Sequence, residues 1–428
     1  MKFIHAADLH LDSPLRGLDS YPGAPVDALR GATRRAFEAL VDLALREQVA
    51  LLLLAGDLFD RDLGDFHGAI YLRAQLLRLT RAGVRVFIIK GNHDAEGQIG
   101  KRLPAVEGVH VFSSRTSEVV DLPELGVAVH GRSFPDRVVS EDLVPAYRDP
   151  VPGRFNIGLL HTSLAGSSLH DPYAPTDLAT LVAKGYDYFA LGHIHARQVL
   201  RERAPRIVYP GNLQGRHVGE TGPKGCELVT VEDGRIVAAE AVVLDVVRWH
   251  QLVVAVDGLD TLDALARQCR QALAEAIHGD TGDRHGNSED RLHALRVTLR
   301  GLTPLHQLEA LQPGSLAASV RAAGQDLTRA TLWIESVVLD LRAPLDRAAL
   351  TQRDDALGEV LRLVDELAGD ETRLATWVRE RLDPYPPLPA ELAGLGKDRL
   401  ELPRLQALLA EAEATVLARL SSTTNPGA

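Results

Sequence analysis

Val49-Ala-Leu-Leu-Leu-Leu-Ala-Gly-Asp57 decides the fold. Seven apolar residues run without a polar interruption, then stop at a glycine and an aspartate. A strand with one wetted face alternates; a strand covered on both faces does not. Val49–Ala55 is therefore expected to be a central strand of a layered α/β structure. Asp57 is delivered just past its carboxyl end, where open α/β sheets gather their functional side chains.

The neighbouring segments fit that plan. Phe3–Ala7 is a short apolar strand followed by Asp8-Leu-His10. Asp27–Gln48 carries Leu29, Thr33, Phe37, Leu40, Val41 and Ala44 at helical spacing, and Phe66–Ala82 is a second helix closed by Gly83. Val84–Ile89 is the next strand and leads into Gly91-Asn-His-Asp94. A βαβαβ opening implies a largely parallel central sheet. Further strands are expected at Val109–Phe112, Glu118–Leu122, Val127–Gly131, Phe155–Leu160, Tyr186–Leu191, Arg206–Tyr209, Gly225–Val231 and Arg235–Leu244, with a helix at Thr176–Lys184 and a hairpin turn at Glu232-Asp233-Gly234. The expected core, residues 1–245, is an α/β/β/α sandwich of two facing sheets. A boundary is expected at Val246–Gln251. A small α+β module then spans 246–345, with strands Gln251–Val256, Leu292–Leu299 and Ala330–Leu341, helix Thr261–Ile277 and a polar loop Gly279–Asp290. Residues 346–420 read as C-terminal helices. Ala356–Leu382 and Arg404–Leu420 are amphipathic, and the Pro-rich Asp383–Pro389 separates them. Ser421–Ala428 is expected to be disordered.

Five motifs fall at the ends of expected strands: Asp8-Leu-His10, Gly56-Asp57, Gly91-Asn-His-Asp94, His161, and Gly192-His-Ile-His195. Asp8 and His10 are two apart on an extended segment and project the same way, so both can hold one ion. His193 and His195 repeat that spacing. Asp57 has two oxygens and can bridge; Asn92 adds a neutral amide oxygen. Mixed nitrogen and oxygen ligands without thiolate suit Mn²⁺, Fe or Zn²⁺ better than Mg²⁺ alone. Two such cations polarise a phosphate ester and acidify a water. His93, beside Asn92, is the expected catalytic histidine at the leaving group, and Asp94 is expected to hold its other ring nitrogen. Each motif alone has a plainer reading as a turn or a surface histidine; five in order, each at a strand end, do not.

Bulk properties bound the partners. The net charge is −11, with 28 basic against 31 acidic residues up to His250 and 19 against 27 beyond it. Neither half is the basic surface of an autonomous DNA binder. A nucleic-acid substrate would need bound cations, local arginines or a partner's surface. The Val49–Ala55 run is far below the roughly 20 residues that span a bilayer. Met1-Lys2 leads straight into Phe3-Ile4 with no leader-type core, and Cys226 and Cys269 suggest no disulfide framework. A cytoplasmic protein without membrane association is expected.

The ordered motifs resemble those of the calcineurin-like metallophosphoesterase superfamily. Within it the chain is similar to SbcD-type DNA-repair exonucleases, and most of all to the YhaO-like subgroup. Phe3-Ile-His-Ala-Ala-Asp-Leu-His-Leu-Asp-Ser13, Gly56-Asp-Leu-Phe-Asp60, Leu191-Gly-His-Ile-His195 and Tyr209-Pro-Gly-Asn-Leu-Gln-Gly-Arg-His217 carry the resemblance. It covers residues 1–245 strongly and the following module only in architecture, as a capping domain. The resemblance implies Asp8, His10, Asp57 and His195 around one ion, and Asp57, Asn92, His161 and His193 around the other. It also implies Mn²⁺, His93 as the catalytic histidine, and a DNA exonuclease or endonuclease component in double-strand-break or end processing. The implied partner is an SbcC-like or Rad-fifty-like coiled-coil ATPase. It must be a separate chain, because no Gly-x-x-x-x-Gly-Lys-Ser/Thr loop occurs here; a homodimer is also compatible.

Some relatives carry histidine where Asp60 stands, so Asp60 either supports the site from behind or caps a turn. His67 is expected on a helix. Arg216 and His217 either reach a phosphate or stiffen the loop after Asn212, and His170-Asp171 lies in a loop near His161. Two rival functions remain: hydrolysis of small phosphoesters or nucleotides, and a non-catalytic scaffold. A protein phosphatase is disfavoured, since Gly56-Asp-Leu-Phe-Asp-Arg61 continues with Asp62 rather than glycine.

Overall fold

A computed structural model of the chain describes residues 1–13, 24–60, 66–96, 106–164, 173–278, 291–327, 331–344, 346–382 and 402–423. The chain divides into two compact units. The first is Met1–Gln251 with Ala276–Leu295 and Arg329–Glu335; the second is Leu252–Glu275 with Arg296–Thr328 and Ser336–Ala428.

In chain order the strands of the first unit begin with β1 (Lys2–Ala6), β2 (Leu51–Ala55), β3 (Arg85–Ile89), β4 (Val109–Val111), β5 (Glu118–Leu122), β6 (Val127–Gly131) and β7 (Phe155–His161). Then follow β8 (Tyr188–Gly192), β9 (Gln198–Arg201), β10 (Arg206–Tyr209), β11 (Gly225–Glu232) and β12 (Arg235–Val243). They form two six-stranded sheets, ordered β12-β11-β1-β2-β3-β4 and β5-β6-β7-β8-β10-β9. In the first sheet β1 to β4 are parallel, β11 returns antiparallel to β1, and β12 pairs antiparallel with β11. In the second, β6, β7, β8 and β10 are parallel, and β5 and β9 are antiparallel edges.

The unbroken apolar run of β2 has a direct cause. Leu52 and Leu54 pack with Ala36, Phe37, Leu40 and Val41 of helix Ala32–Arg46. Leu51, Leu53 and Ala55 face the other way, into a core shared with Val129, Ile157, Leu159, Tyr188 and Val208 of the second sheet. That sheet is covered on its outer face by a third core containing Leu160, Leu181, Phe189, Leu191 and Ile207. The layers are helix, sheet, sheet, helix. The parallel registers set Ala6 beside Leu54, Ala55 beside Ile89, and His161 beside Gly192. The strand ends that carry the motifs therefore lie side by side.

Several expectations are corrected. Helix Asp27–Gln48 is interrupted at Gly31, giving Val26–Arg30 and Ala32–Arg46; glycine is the weakest non-proline helix former. Strand β9 escapes a reading by pattern because it is a short edge with no fully buried residue. The strand after the expected Val246–Gln251 boundary already begins at Val247, as β13 (Val247–Ala255); Gln214 Oε1 accepts from the N–H groups of Val246 and Val247 and so fixes its start. With β14 (Leu292–Leu302) and β15 (Thr331–Arg342) it makes a third sheet, β14 in the middle.

In the second unit Ala356–Leu382 is two helices, Ala356–Ala368 and Glu371–Leu382. The break falls at Gly369-Asp370, where Asp370 caps the next turn through Arg373 N–H. Both pack on helix Leu402–Thr423 through Leu357, Leu361 and Leu417 and through Leu367, Leu374 and Leu405. That helix runs three residues into the segment expected to be disordered; 424–428 lie outside the described residues, as do Gly279–Asp290, Asp383–Pro389 and His170-Asp171. Among the described residues no helix is long and apolar enough to cross a membrane.

Candidate metal centre

All the motif residues gather at one end of the sandwich. Asp8 and His10 follow β1, Asp57 follows β2, and Asn92 opens the short helix Asn92–Glu96 after β3. His161 is the last residue of β7, and His193 and His195 follow β8. The chain stays tied to its neighbours beyond the strands: Asp8 N–H donates to Gly56 O and His10 N–H to Asp57 O, both at 3.0 Å. Asp8, His10, Asp57 and His193 all have positive φ, at 52°, 43°, 51° and 104°. Non-glycine residues rarely accept that region, and strain of this kind concentrates at functional sites. Two glycines allow the close approach. A Cβ on Gly91 would lie 2.2 Å from Asp57 Oδ1, and one on Gly192 would lie 1.8 Å from the Ala55 carbonyl oxygen.

Ring tautomers follow from the partners. His161 Nδ1 lies 2.9 Å from the Ala55 carbonyl oxygen, which can only accept, so Nδ1 carries a hydrogen. His161 Nε2 then points at Asn92 Oδ1, 3.0 Å away, and Asp57 Oδ2, 3.5 Å away. His10 Nδ1 donates to Asp60 Oδ1 and His195 Nδ1 to Glu220 Oε1, each at 2.7 Å. Their Nε2 atoms face each other at 3.2 Å. Asp57 Oδ2 is 3.9 Å from His10 Nε2, and Asp8 Oδ1 is 4.0 Å from His195 Nε2. In neutral rings these Nε2 atoms are lone pairs, converging on each other and on carboxylate oxygens. Such an arrangement is repulsive unless a proton or a cation lies between, so the donor set fits divalent cations. Among the described residues, ligand atoms lie within 4.8 Å of one another in three adjoining groups: Asp8 with His10 and His195, Asp8 with Asp57 and His161, and His10 with Asp60 and His93.

Charge effects agree. Burial disfavours the His161 cation, but the Asp57 carboxylate outweighs it and pushes the ring up to about 9. A proton there occupies the lone pair that a cation would use. Burial also opposes ionisation of Asp57, yet the neighbouring histidines hold it well below the usual carboxylate range. Burial raises Asp8.

Each expected residue has a definite place. Asp8, His10, Asp57, Asn92, His161 and His195 converge as described. The His193 ring lies edge-on to His161, centroids 5.2 Å apart, and its backbone N–H donates to the Asp8 carboxylate. His93 is at the rim: its N–H donates to Asp57 Oδ1, and its ring lies 5.0 Å from that of His10. Asp94 departs from expectation. Its carboxylate accepts from the backbone N–H groups of Leu58, Phe59 and Gly91, and burial pushes it up to about 7. The carboxylate beside His93 is that of Asp60, 3.3 Å from Nδ1. Asp60 also takes His10 Nδ1–H and the Ser13 hydroxyl, so it stands behind the site. Arg216 lies behind the two facing rings, His217 is exposed, and His67 is exposed on helix Phe66–Arg81. Glu220 carries no signal in the sequence beyond its closeness to Arg216-His217, since a lone glutamate forms no pattern.

Comparison with known proteins gives the relatives. The family model for calcineurin-like phosphoesterases matches residues 1–197, and that for the middle domain of metallophosphoesterase YhaO matches 249–342. The chain is 34% identical over 368 residues to metallophosphoesterase YhaO of Bacillus subtilis (strain 168), covering 85% of this chain and 87% of that one. It is 28% identical to DNA double-strand break repair protein Mre11 of Aeropyrum pernix, over 64% and 68% of the two chains. It is 24% identical to a component of nuclease SbcCD of Bacillus subtilis (strain 168), over 58% and 72%.

Proposed function

This chain belongs to the calcineurin-like metallophosphoesterases, phosphoester hydrolases with a dinuclear metal site, and from that premise we propose that it is a phosphodiesterase acting on DNA ends. The observation that carries the reading is the convergence of Asp8, His10, Asp57, Asn92, His161 and His195. His93 stands at its open side, its side chain 29% exposed. The relatives named for DNA break repair and nuclease activity favour DNA over small esters.

When bound, two divalent cations, Mn²⁺ foremost, supply charge neutralisation of the phosphodiester and activation of a water. The chain's own groups do the rest. Asp60 and Glu220 hold His10 and His195 with Nε2 inward. Asp57 fixes the backbone of His93. The His93 ring, with Asp60 at Nδ1, holds a proton for the leaving oxygen. With a net charge of −11, the protein depends on its cations and on a partner for DNA affinity. A separate SbcC-like coiled-coil ATPase is the partner in this reading, with the helices beyond residue 346 as its dock; truncation at Pro389 that leaves the ATPase co-purifying would remove helix Leu402–Thr423 from that dock.

The test uses the full chain, with and without co-purified ATPase, in Mn²⁺ on linear duplex DNA, hairpin DNA and bis-p-nitrophenyl phosphate. Digestion from DNA ends is expected, falling by about 100-fold or more in His93→Ala. Turnover of the small diester with DNA left intact under both conditions would overturn the DNA reading in favour of a small-phosphoester enzyme.

A further inference from the structure

Behind the facing rings of His10 and His195 lies one residue that the function above does not use, Arg216. Their Nδ1 atoms end on two different carboxylates, Asp60 from the loop after β2 and Glu220 from the segment before β11. One guanidinium joins them. Arg216 Nη1 is 3.4 Å from Asp60 Oδ2, and Nη2 is 3.0 Å from Glu220 Oε1. The loop is held from its own side as well: Arg216 N–H and Asn212 Nδ2 donate to Glu220 Oε2 at 2.8 and 2.9 Å. The Arg216, Asp60 and Glu220 side chains are only 16%, 14% and 8% exposed.

We propose that Arg216 is a positioning residue that clamps Asp60 and Glu220 together, so that occupancy of the cation position between His10 and His195 depends on it. The inference rests on the two-cation reading of the site and is independent of whether DNA is the substrate. The physical reason is geometric and electrostatic. Each carboxylate fixes one ring's tautomer and rotation; their common arginine fixes the distance between the two rings. Without it, Asp60 keeps the Ser13 hydroxyl and Glu220 keeps Asn212 Nδ2 and the residue-216 N–H, but no side chain ties one carboxylate to the other. Lysine cannot replace it fully, because a single ammonium lacks the planar fork that reaches two partners. The position formed by Asp57, Asn92 and His161 is held by other contacts, the Ala55 carbonyl on His161 among them, and should keep its cation. Asp60 is then one half of the clamp and Glu220 the other.

The experiment measures Mn²⁺ binding to the full chain by calorimetry and metal analysis, with electron paramagnetic resonance to separate coupled from isolated Mn²⁺. Wild type is expected to bind two ions with a spin-coupled signal. Arg216→Met should weaken one ion by about 10–100-fold, typical of lost support behind a ligand, and leave an uncoupled Mn²⁺ signal. Arg216→Lys should fall between the two, and Glu220→Gln, which keeps an acceptor for His195 Nδ1, should weaken the same ion. Far-ultraviolet circular dichroism and thermal unfolding check each variant's fold. If Arg216→Met is folded and keeps both affinities within about 3-fold of wild type and a coupled signal, the clamp is overturned while the two-cation site stands. If wild type itself binds fewer than two ions, the clamp falls together with the site. Failure to cut DNA touches neither.

Discussion

His5 lies on β1, ahead of Asp8 in the chain, and is fully buried. Its Nε2 faces the Leu191 carbonyl oxygen at 3.1 Å, so Nε2–H donates and Nδ1 accepts from the Tyr188 hydroxyl at 3.0 Å. Burial lowers it from 6.5 to about 3, against the raising effect of the Leu191 carbonyl. A histidine held neutral in the fold contributes fully above its unfolded value and loses that contribution as pH falls from 6.5 toward 3. Stability should therefore drop by about 1.4 kcal/mol per pH unit within that window on account of His5. Urea unfolding in EDTA at about pH 7.5, 5.5 and 4.5, comparing wild type with His5→Gln, checks it; parallel losses in the two proteins would remove His5 as the cause. Gly91→Ala belongs to the same scale. Its Cβ would meet Asp57 Oδ1 and the His161 ring, so cation binding should fall by at least about 10-fold, read by calorimetry. The candidate ligands legible in the sequence are those in the motifs at the ends of apolar strands: Asp8, His10, Asp57, Asn92, His161, His193 and His195. Asp60, Arg216 and Glu220 are ambiguous or silent there, because their work is done through partners 156 and 25 positions away in the chain.

At the scale of elements, strand ends are tied to one another through Asp94. It lies in helix Asn92–Glu96 after β3, yet it accepts N–H groups from Leu58 and Phe59 beyond β2 and from Gly91. Asp94→Ala strands these buried donors at about 1–3 kcal/mol each. Asp94→Ala should thus lower the unfolding temperature markedly, measured calorimetrically, with activity lost in proportion to folded protein. A normal melting temperature with a collapsed kcat would instead return Asp94 to His93. The strands are readable because their apolar runs serve two covered faces, as in β2. The short edge β9 is not, because it packs little, and Gly369 and Gly31 divide helices whose apolar spacing continues through the break.

For the whole molecule, the candidate ligands come from both sheets: Asp8, His10, Asp57 and Asn92 from the first, His161, His193 and His195 from the second. Cations that bind only this arrangement stabilise it by mass action, about 2.7 kcal/mol at a concentration 100 times the dissociation constant. Adding EDTA should lower the unfolding temperature by several degrees, and Mn²⁺ should restore it; an unchanged temperature would argue that no cation bridges the sheets. The face-to-face layers are legible in outline, but which loops meet depends on register, and no single motif encodes that. The two leaves of the sandwich thus work like a book fastened by a rivet at one corner. When the rivet is drawn, amide hydrogen exchange should quicken first at the margin of Ala6, Ala55 and Gly192, while the far margin at Val127, Phe155 and Val231 keeps its protection.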